Sequence, residues 1–353
     1  MSLIKKFQLI ARIQYIKITN WEFWPFNIVY IPIFIYWLYL SFKGRSFFFF
    51  STSNPSIKNA GFLMESKYDI YETMSEYLYP KTIFINPDKD IKLITHQLEA
   101  KGIQLPFIVK PDTGMRGLKV KLLHTFDELY TYHSNARFSY LIQEYIDFEN
   151  EVGIFYIRYP AEISGMITGI VGKEFLTITG DGVSTIETLV KKNDRYLLQL
   201  NNLSVIYGKT LKKILPLNEK YNLVPYGNHS RGSKFIDLSD LIDEQLSSTI
   251  NLICQSIPDF YYGRLDIKFK NWEDLKNGEN FSIIEVNGAG SEPTHIYDPK
   301  HSIFYAWKEI KLHCKILYKI SLANKKIRGL AFMTTREGMK MLRENKKQVA
   351  LLT

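Results

Sequence analysis

Cysteine is nearly absent. Cys254 and Cys314 are the only two in 353 residues, they lie far apart, and neither sits at a metal-ligand spacing. That argues against a disulfide framework and fits idle or buried thiols of a reducing compartment. Seven scattered histidines carry no zinc signature. No Gly-Lys-Ser/Thr follows the glycines of residues 106–120, which excludes a P-loop. No Ser/His or Cys/His constellation stands out, so a covalent nucleophile is not implied. A secretory signal is missing as well: the apolar run begins too far from the start and has no small-residue cleavage site. The first 20 residues lack any acid, and residues 24–42 lack any charge.

The net charge of +9 is unevenly placed. Residues 1–20 carry +4 and residues 325–353 carry +6, which leaves the 304 residues between them at −1. A nucleic-acid groove would put its charge on the body, interleaved with stacking aromatics. Basic ends beside a neutral body fit an anionic membrane surface at least as well, and nucleic acid is not expected as a partner. The length allows two or three domains with a real core, and 46% hydrophobic and 23% charged residues are ordinary for a folded chain.

The uncharged stretch reads W-P-F-N-I-V-Y-I-P-I-F-I-Y-W-L-Y-L-S-F. As one helix, residues 26–42 would span about 25 Å, short of the roughly 30 Å hydrocarbon core. Pro32 would interrupt it, and its tyrosines and tryptophans favour the headgroup level. Three readings stay open: an interfacial or re-entrant anchor, a true span, or a buried element of a soluble domain. Phe47–Phe50 is expected to be a buried strand.

Further on, a helix is expected from about Ser66 to Tyr77, ended by Pro80, then a strand at Thr82–Ile85 and a helix at Asp90–Lys101 closed by Gly102. Residues 106–120, P-F-I-V-K110-P-D-T-G114-M-R-G117-L-K-V, read as a strand carrying a lysine into a glycine-containing turn, then a second strand. Glycines let backbone N–H groups approach phosphate oxygens, and a lysine adds a compact positive charge. Residues 138–157 give an apolar strand reaching Gln143-Glu144, a connector, and a strand beginning near Glu151.

Residues 262–287 organise the rest. Y-G-R-L-D-I-K-F and F-S-I-I-E-V-N alternate as strands on either side of a polar connector around Asn277-Gly278. Period-2 alternation puts Arg264, Asp266 and Lys268 on one face and Leu265, Ile267 and Phe269 on the other. In the second strand it puts Ile283, Glu285 and Asn287 together, opposite Ile284 and Val286. If Asp266 stands opposite Glu285, Arg264 falls opposite Asn287. Two carboxylates facing each other at roughly 5 Å repel, and a hard divalent cation such as Mg²⁺ removes the conflict. A solvated hairpin with ordinary charges is the bland alternative.

The order of these segments (I-V-K110-P, Q-E144-Y-I-x₄-E151, R264-L-D266, E285-V-N287-G) resembles the ATP-grasp carboxylate–amine ligases. The D-alanine–D-alanine ligases and the ATP-grasp domains of cyanophycin synthetases and fused glutathione synthetases are most similar, the latter also around T-G-D-G-V-S-T-I-E-T-L-V at residues 179–190. The resemblance covers about residues 62–300. It implies an α+β ATP-grasp fold, two α+β subdomains gripping ATP, preceded here by a shortened apolar N-terminal region. It implies Lys67 and Lys110 as nucleotide-binding lysines, Gln143, Glu144 and Tyr145 at the adenine, and Glu151 at the ribose. Arg264 would steady the transferring phosphate, Lys173 would reach the phosphates, and Asp266, Glu285 and Asn287 would hold Mg²⁺, two ions in all, with Mn²⁺ as a substitute. Residues 179–184 would form a lid. Gly227–Ser233 is similar to a loop of the cyanophycin-synthetase-like enzymes, with Arg231 in place of a small residue.

The expected organisation is a basic, aromatic N-terminal region over 1–53, with a membrane anchor as one of the three readings above, a leading segment over 54–105, a catalytic domain over 106–320 and a basic tail over 321–353. The expected function is ATP-dependent activation of a carboxylate as an acyl phosphate and its capture by an amine, at the cytoplasmic face of a membrane, with small-molecule substrates, amphiphilic ones among them. The alternatives are a phosphotransferase on the same scaffold and a nucleotide-binding membrane protein without catalysis. After E-V-N the chain gives G-A-G-S-E-P-T-H295-I-Y297-D-P instead of the serine-bearing segment of the D-alanine ligases, so D-alanine is not the expected substrate. The oligomeric state stays open.

Overall fold

A computed structural model describes residues 3–114, 117–224, 227 and 232–352. The chain divides into two units. One comprises Ile35–Ile170, Leu238–Pro293 and Ile310–Thr353, and the other Met1–Phe34, Val171–Asp237 and Thr294–Glu309. The class is α+β, as expected.

In the first of these units, β1 (Thr82–Ile85), β2 (Phe107–Pro111), β3 (Lys121–Leu123) and β4 (Tyr140–Glu144) form an antiparallel sheet in the order β1-β4-β2-β3. Alternate residues Ile83, Ile85, Phe107, Val109, Tyr140 and Ile142 face a core closed by the helices Ile91–Lys101 and Phe126–Asn135. Both helices start and stop where their chemistry dictates. Asp90 accepts from Lys92 N at 2.7 Å, and Gly102 takes the left-handed conformation that ends the first helix. Thr125 and Glu128 make a capping box for the second.

The chain continues through β5 (Asn150–Ile157) and β6 (Met166–Glu174), the latter leading into the other unit. There β7 (Leu176–Thr179) and β8 (Lys220–Val224) pair antiparallel, and β9 (Lys234–Asp237) pairs with the end of β6. Leu176, Ile178, Ile186, Val190, Leu203 and Leu223 form that unit's core. Glu22 and Arg195 make a buried ion pair at 2.5 Å in the same unit. The helix Leu3–Thr19 joins it through Arg12 and Asp194.

Back in the first unit, β10 (Tyr262–Phe269) lies between β5 and β11 (Phe281–Asn287), antiparallel to both. Leu265, Ile267, Phe269, Ile283 and Val286 pack there with Leu246, Ile250, Ile253 and Cys254 of the helix Glu244–Ser256. The connector between β10 and β11 is more than a turn. It holds the helix Trp272–Asn277, capped by Asn271 and stopped by Gly278 in the left-handed region.

Three local expectations change. The helix Phe26–Gly44 runs unbroken through Pro32, which sits in its second turn and deletes a single N–H donor. Phe49–Thr52 is a short 3₁₀ turn, although Phe48, Phe49 and Phe50 are buried as expected, because Trp37 packs on Phe49 at 4.5 Å and Phe62 stacks on Phe50 at 4.0 Å. The helix after Ser66 ends at Glu72, with a separate turn at Glu76–Leu78.

Asn54 fastens the leading loop to β10. Its fully buried amide accepts from Tyr261 N and Tyr262 N and donates to Ala60 O and Tyr262 O, all between 2.8 and 3.0 Å. Asn54→Ala strands two buried N–H groups, each costing about 1–3 kcal/mol. The expected loss is about 3–4 kcal/mol in a urea titration, and a loss below about 1 kcal/mol would show that the loop does not hold the strand.

Candidate active site

The site is built on β10 and β11, in the register assumed for them: Arg264 opposite Asn287, and Asp266 opposite Glu285. Past that pair the register slips, so that Ile267 stands opposite Ile283 and Ile284 is left as the extra residue of a bulge. The slip corrects one expectation. Ile283 does not share a face with Glu285; it joins Val286 in the core, at 0% and 4% exposure.

Asp266 is 4% exposed and receives both Arg264 Nε at 2.8 Å and the second guanidinium nitrogen at 3.4 Å. Arg264 also donates to Glu292 O at 3.2 Å. Burial opposes the guanidinium charge, but Asp266 outweighs it and raises the Arg264 pKa. Asn287 Nδ2 is buried and has no hydrogen-bond partner among the described residues. Such an unmet polar group costs free energy until a ligand or water satisfies it.

No three His, Cys, Asp or Glu side chains converge on a metal position among the described residues. The set available is two facing carboxylates and an amide. It matches Mg²⁺, which takes one or two protein carboxylates and completes its shell with water and substrate phosphate. In the arrangement described, both Asp266 oxygens turn toward Arg264.

The bulge has a partner. Lys110, 7% exposed on β2, donates to Ile284 O at 2.8 Å, Gln143 Oε1 at 2.8 Å and Tyr71 Oη at 3.0 Å. Tyr71 itself donates to Ile284 O at 2.5 Å. Burial pushes the Lys110 ammonium down to about 7; Glu285 opposes the shift and Lys67 adds to it. Lys67 begins the helix Lys67–Glu72, and its Nζ lies 3.1 Å from Gly114 O, 3.4 Å from Asp112 O and 3.6 Å from Glu285 Oε1. Asp112 accepts from Ser66 Oγ and Tyr68 N, so the turn after β2 is tied to that helix. Lys67, Lys110, Asp266 and Glu285 are thereby gathered around one end of β11.

The adenine-side residues take different positions. Gln143 is 3% exposed and turned inward, donating to Thr82 Oγ1 at 2.8 Å while it holds Lys110. Glu144 ends β4, its N–H donating to Lys81 O at 2.9 Å. Glu151, 5% exposed, stands opposite Lys268 of β10. Lys268 lies over the Tyr145 ring at 5.4 Å and donates to Ile146 O and Phe148 O at 3.1 and 3.0 Å. Burial lowers its pKa, with Glu151 and Asp147 opposing. Lys268 is thus a clamp on the connector 145–149. Sequence reasoning placed it on the polar face and gave it no role; nothing local marks its long-range contacts. Tyr71 and Asp112 were missed for the same reason.

Lys173 belongs to the other unit, half-buried on β6 opposite Phe235. In that unit residues 179–184 are tethered: Gly180 N donates to Glu219 O at 2.8 Å, and Asp181 accepts from Val183 N, Ser184 N and Lys192 Nζ. A Cβ on Gly180 would stand 2.1 Å from Pro216 O, so only glycine fits there. His295 is 3% exposed, and burial lowers its pKa to about 4, so it is neutral. Arg231 lies outside the described residues. After Asn287, Ala289 N and Gly290 N donate to Ala60 O and Gly61 O, both at 2.9 Å. Those amides are therefore already engaged by the leading loop. A cleft of about 840 Å³ between the loop Ser51–Asn59 and residues 331–344 contains neither Lys110 nor any of the expected metal residues.

No family model matches the chain. Over 215 residues, 54% of its length, it is 24% identical to the glutathione biosynthesis bifunctional protein GshAB of Streptococcus mutans serotype c. The chain spans 28% of that relative's length. Among solved structures it is similar to a bifunctional glutathione synthetase from Pasteurella multocida, with 13% identity, 74% of this chain and 38% of that chain covered, and a TM-score of 0.39. It is also similar to a D-alanine–D-alanine ligase from Bacillus anthracis, with 14% identity, 75% and 69% coverage, and a TM-score of 0.42. These are the kinds of ligase that the order of motifs resembles.

Proposed function

We propose that this chain is an ATP-dependent carboxylate–amine ligase of the ATP-grasp type, with its catalytic domain over residues 106–320. One observation carries the reading: Asp266 faces Glu285 across two strands while Arg264, Lys67 and Lys110 crowd the same strand end. Arg264 and Lys67 pair with these carboxylates, and a triphosphate with its metal would use both signs at that place.

Asp266, Glu285 and Asn287 would hold Mg²⁺, two ions with Mn²⁺ as a substitute, which supplies charge neutralisation at the phosphates. Lys110 and Lys67 hold phosphate oxygens. Arg264 steadies the γ-phosphoryl group as a substrate carboxylate attacks it. The acyl phosphate so formed is electrophilic, and an amine displaces phosphate to give the amide. Glu151 receives the ribose hydroxyls, and the segment Gln143–Tyr145, held by Lys268 through its connector, reads adenine.

The proposed setting is the cytoplasmic face of a membrane, where ATP is available and an amphiphilic substrate arrives laterally. The helix Phe26–Gly44 supports this: it is the one described helix long and apolar enough to cross a bilayer, and only 22% of its apolar window is buried. The test of the reaction is ADP release from ATP and Mg²⁺ across a panel of carboxylates and amines. Release that requires both partners, together with an amide product, supports the ligase. Release with one partner and a stable phosphorylated product would identify a phosphotransferase.

A further inference from the structure

The helix Ile303–Arg328 bears Lys311, Lys315, Lys319 and Lys326 on its part from Ile310 onward, which belongs to the unit that carries β10 and β11. Spacings of four, four and seven put them on one face of the helix, and all four are exposed. Leu312, 44% exposed, lies beside them. The opposite face is buried through His313, Cys314, Leu317, Tyr318 and Ile320. From Ile310 onward the helix has no acidic residue.

The second half of the helix Phe26–Gly44 packs alongside. Trp37 lies on Phe49 at 4.5 Å, Phe49 meets Tyr318 edge-on at 5.3 Å, and Tyr39 neighbours Tyr318. Leu40 and Ser41 face inward, at 3% and 9% exposure. Ile35, Leu38, Tyr39 and Phe42 face out, and Phe42 reaches 86%. Exposed Lys43 and Arg45 follow immediately.

We infer that these two helices form one docking surface for the anionic headgroups of a phospholipid bilayer, with the helix Phe26–Gly44 lying in the plane of the surface. The inference rests on the membrane setting proposed above and specifies how contact is made and with which lipids. The inner face of the second half of this helix is packed on its own domain, which leaves an outward stripe, and not a whole circumference, for lipid. That apolar stripe enters the acyl boundary, and neighbouring lysines meet the negative leaflet. A second copy of the chain is a poorer occupant, because a two-fold contact would set one lysine row against another.

The test uses the full chain with phosphatidylcholine vesicles, with and without phosphatidylserine, at low and high salt. Wild type is expected to sediment with the anionic vesicles and to be released by salt. Joint replacement Lys311→Gln, Lys315→Gln, Lys319→Gln and Lys326→Gln should lower that partitioning by about a hundredfold or more, with an unchanged circular-dichroism spectrum. Phe42→Ser should weaken binding to either vesicle. Equal binding of wild type to both vesicles would overturn the lysine surface and leave the membrane setting standing. Binding to neither would overturn both. A lipid-free dimer that Phe42→Ser dissolves would assign the face to a second copy and overturn the inference.

Discussion

Asp266→Asn is expected to lower ATP turnover by about a thousandfold or more while the chain stays folded. The carboxylate stands at the meeting point of two demands. It balances the buried Arg264 guanidinium, and it faces Glu285 where the metal is proposed to sit. Asparagine keeps an oxygen for Arg264 Nε, so the strand pair survives at some loss of stability, since a buried cation loses its counter-charge. What asparagine cannot supply is the negative charge that a divalent cation needs. The loss should therefore appear in kcat, accompanied by a higher Mg²⁺ requirement, with an unchanged far-ultraviolet circular-dichroism spectrum. Turnover within tenfold of wild type in the folded variant would remove Asp266 from the metal site. Loss of the fold would leave Glu285→Gln as the deciding variant, because Glu285 is about one-third exposed and does not pair with Arg264.

The faces of β10 were legible because a strand's side chains repeat every two residues; its pairing with β11 was an assumption, which the opposition of Asp266 and Glu285 meets. The bulge at Ile284 was not legible. Its sequence, F-S-I-I-E-V-N, alternates acceptably in either phase around Ile283-Ile284, and only packing against Leu246 and Ile250 selects Ile283 for the core. The short helix Trp272–Asn277 escaped notice because six polar-rich residues have no apolar period to reveal them. Lys110 stood out in the strand I-V-K-P, yet its partners Tyr71 and Gln143 are 39 and 33 residues away, and no local pattern joins them. Pro32 was over-weighted: one missing donor does not break a helix held by Val29, Ile33 and Leu40.

In the proposed site Lys110 joins the nucleotide to the strand of Glu285, and its replacement is the second large effect expected. Its ammonium binds Gln143, Tyr71 and the bulge carbonyl of Ile284, the residue before Glu285. Lys110→Ala removes a phosphate contact and leaves buried acceptors unpaired. Charge-assisted hydrogen bonds contribute about 1.5–3 kcal/mol, so ATP affinity should fall about ten- to a hundredfold. GTP should remain the poorer nucleotide, because the segment Gln143–Tyr145 proposed to read the base is retained, although Gln143 loses its contact with Lys110. The same residue sets a pH dependence. Its folded pKa of about 7 lies below the ordinary 10.5, so the unfolded chain holds more protons between those values, and Lys110's contribution to stability grows as pH rises through that window. For binding the sign is opposite. Phosphate favours the ammonium form, so ATP binding above pH 7 must draw in a proton, and affinity falls as pH rises. Calorimetry in two buffers of different ionisation heat measures that uptake at pH 8, and Lys110→Met, which keeps the volume without the charge, should abolish it. Proton uptake and affinity equal to wild type in the methionine variant would separate Lys110 from the phosphates.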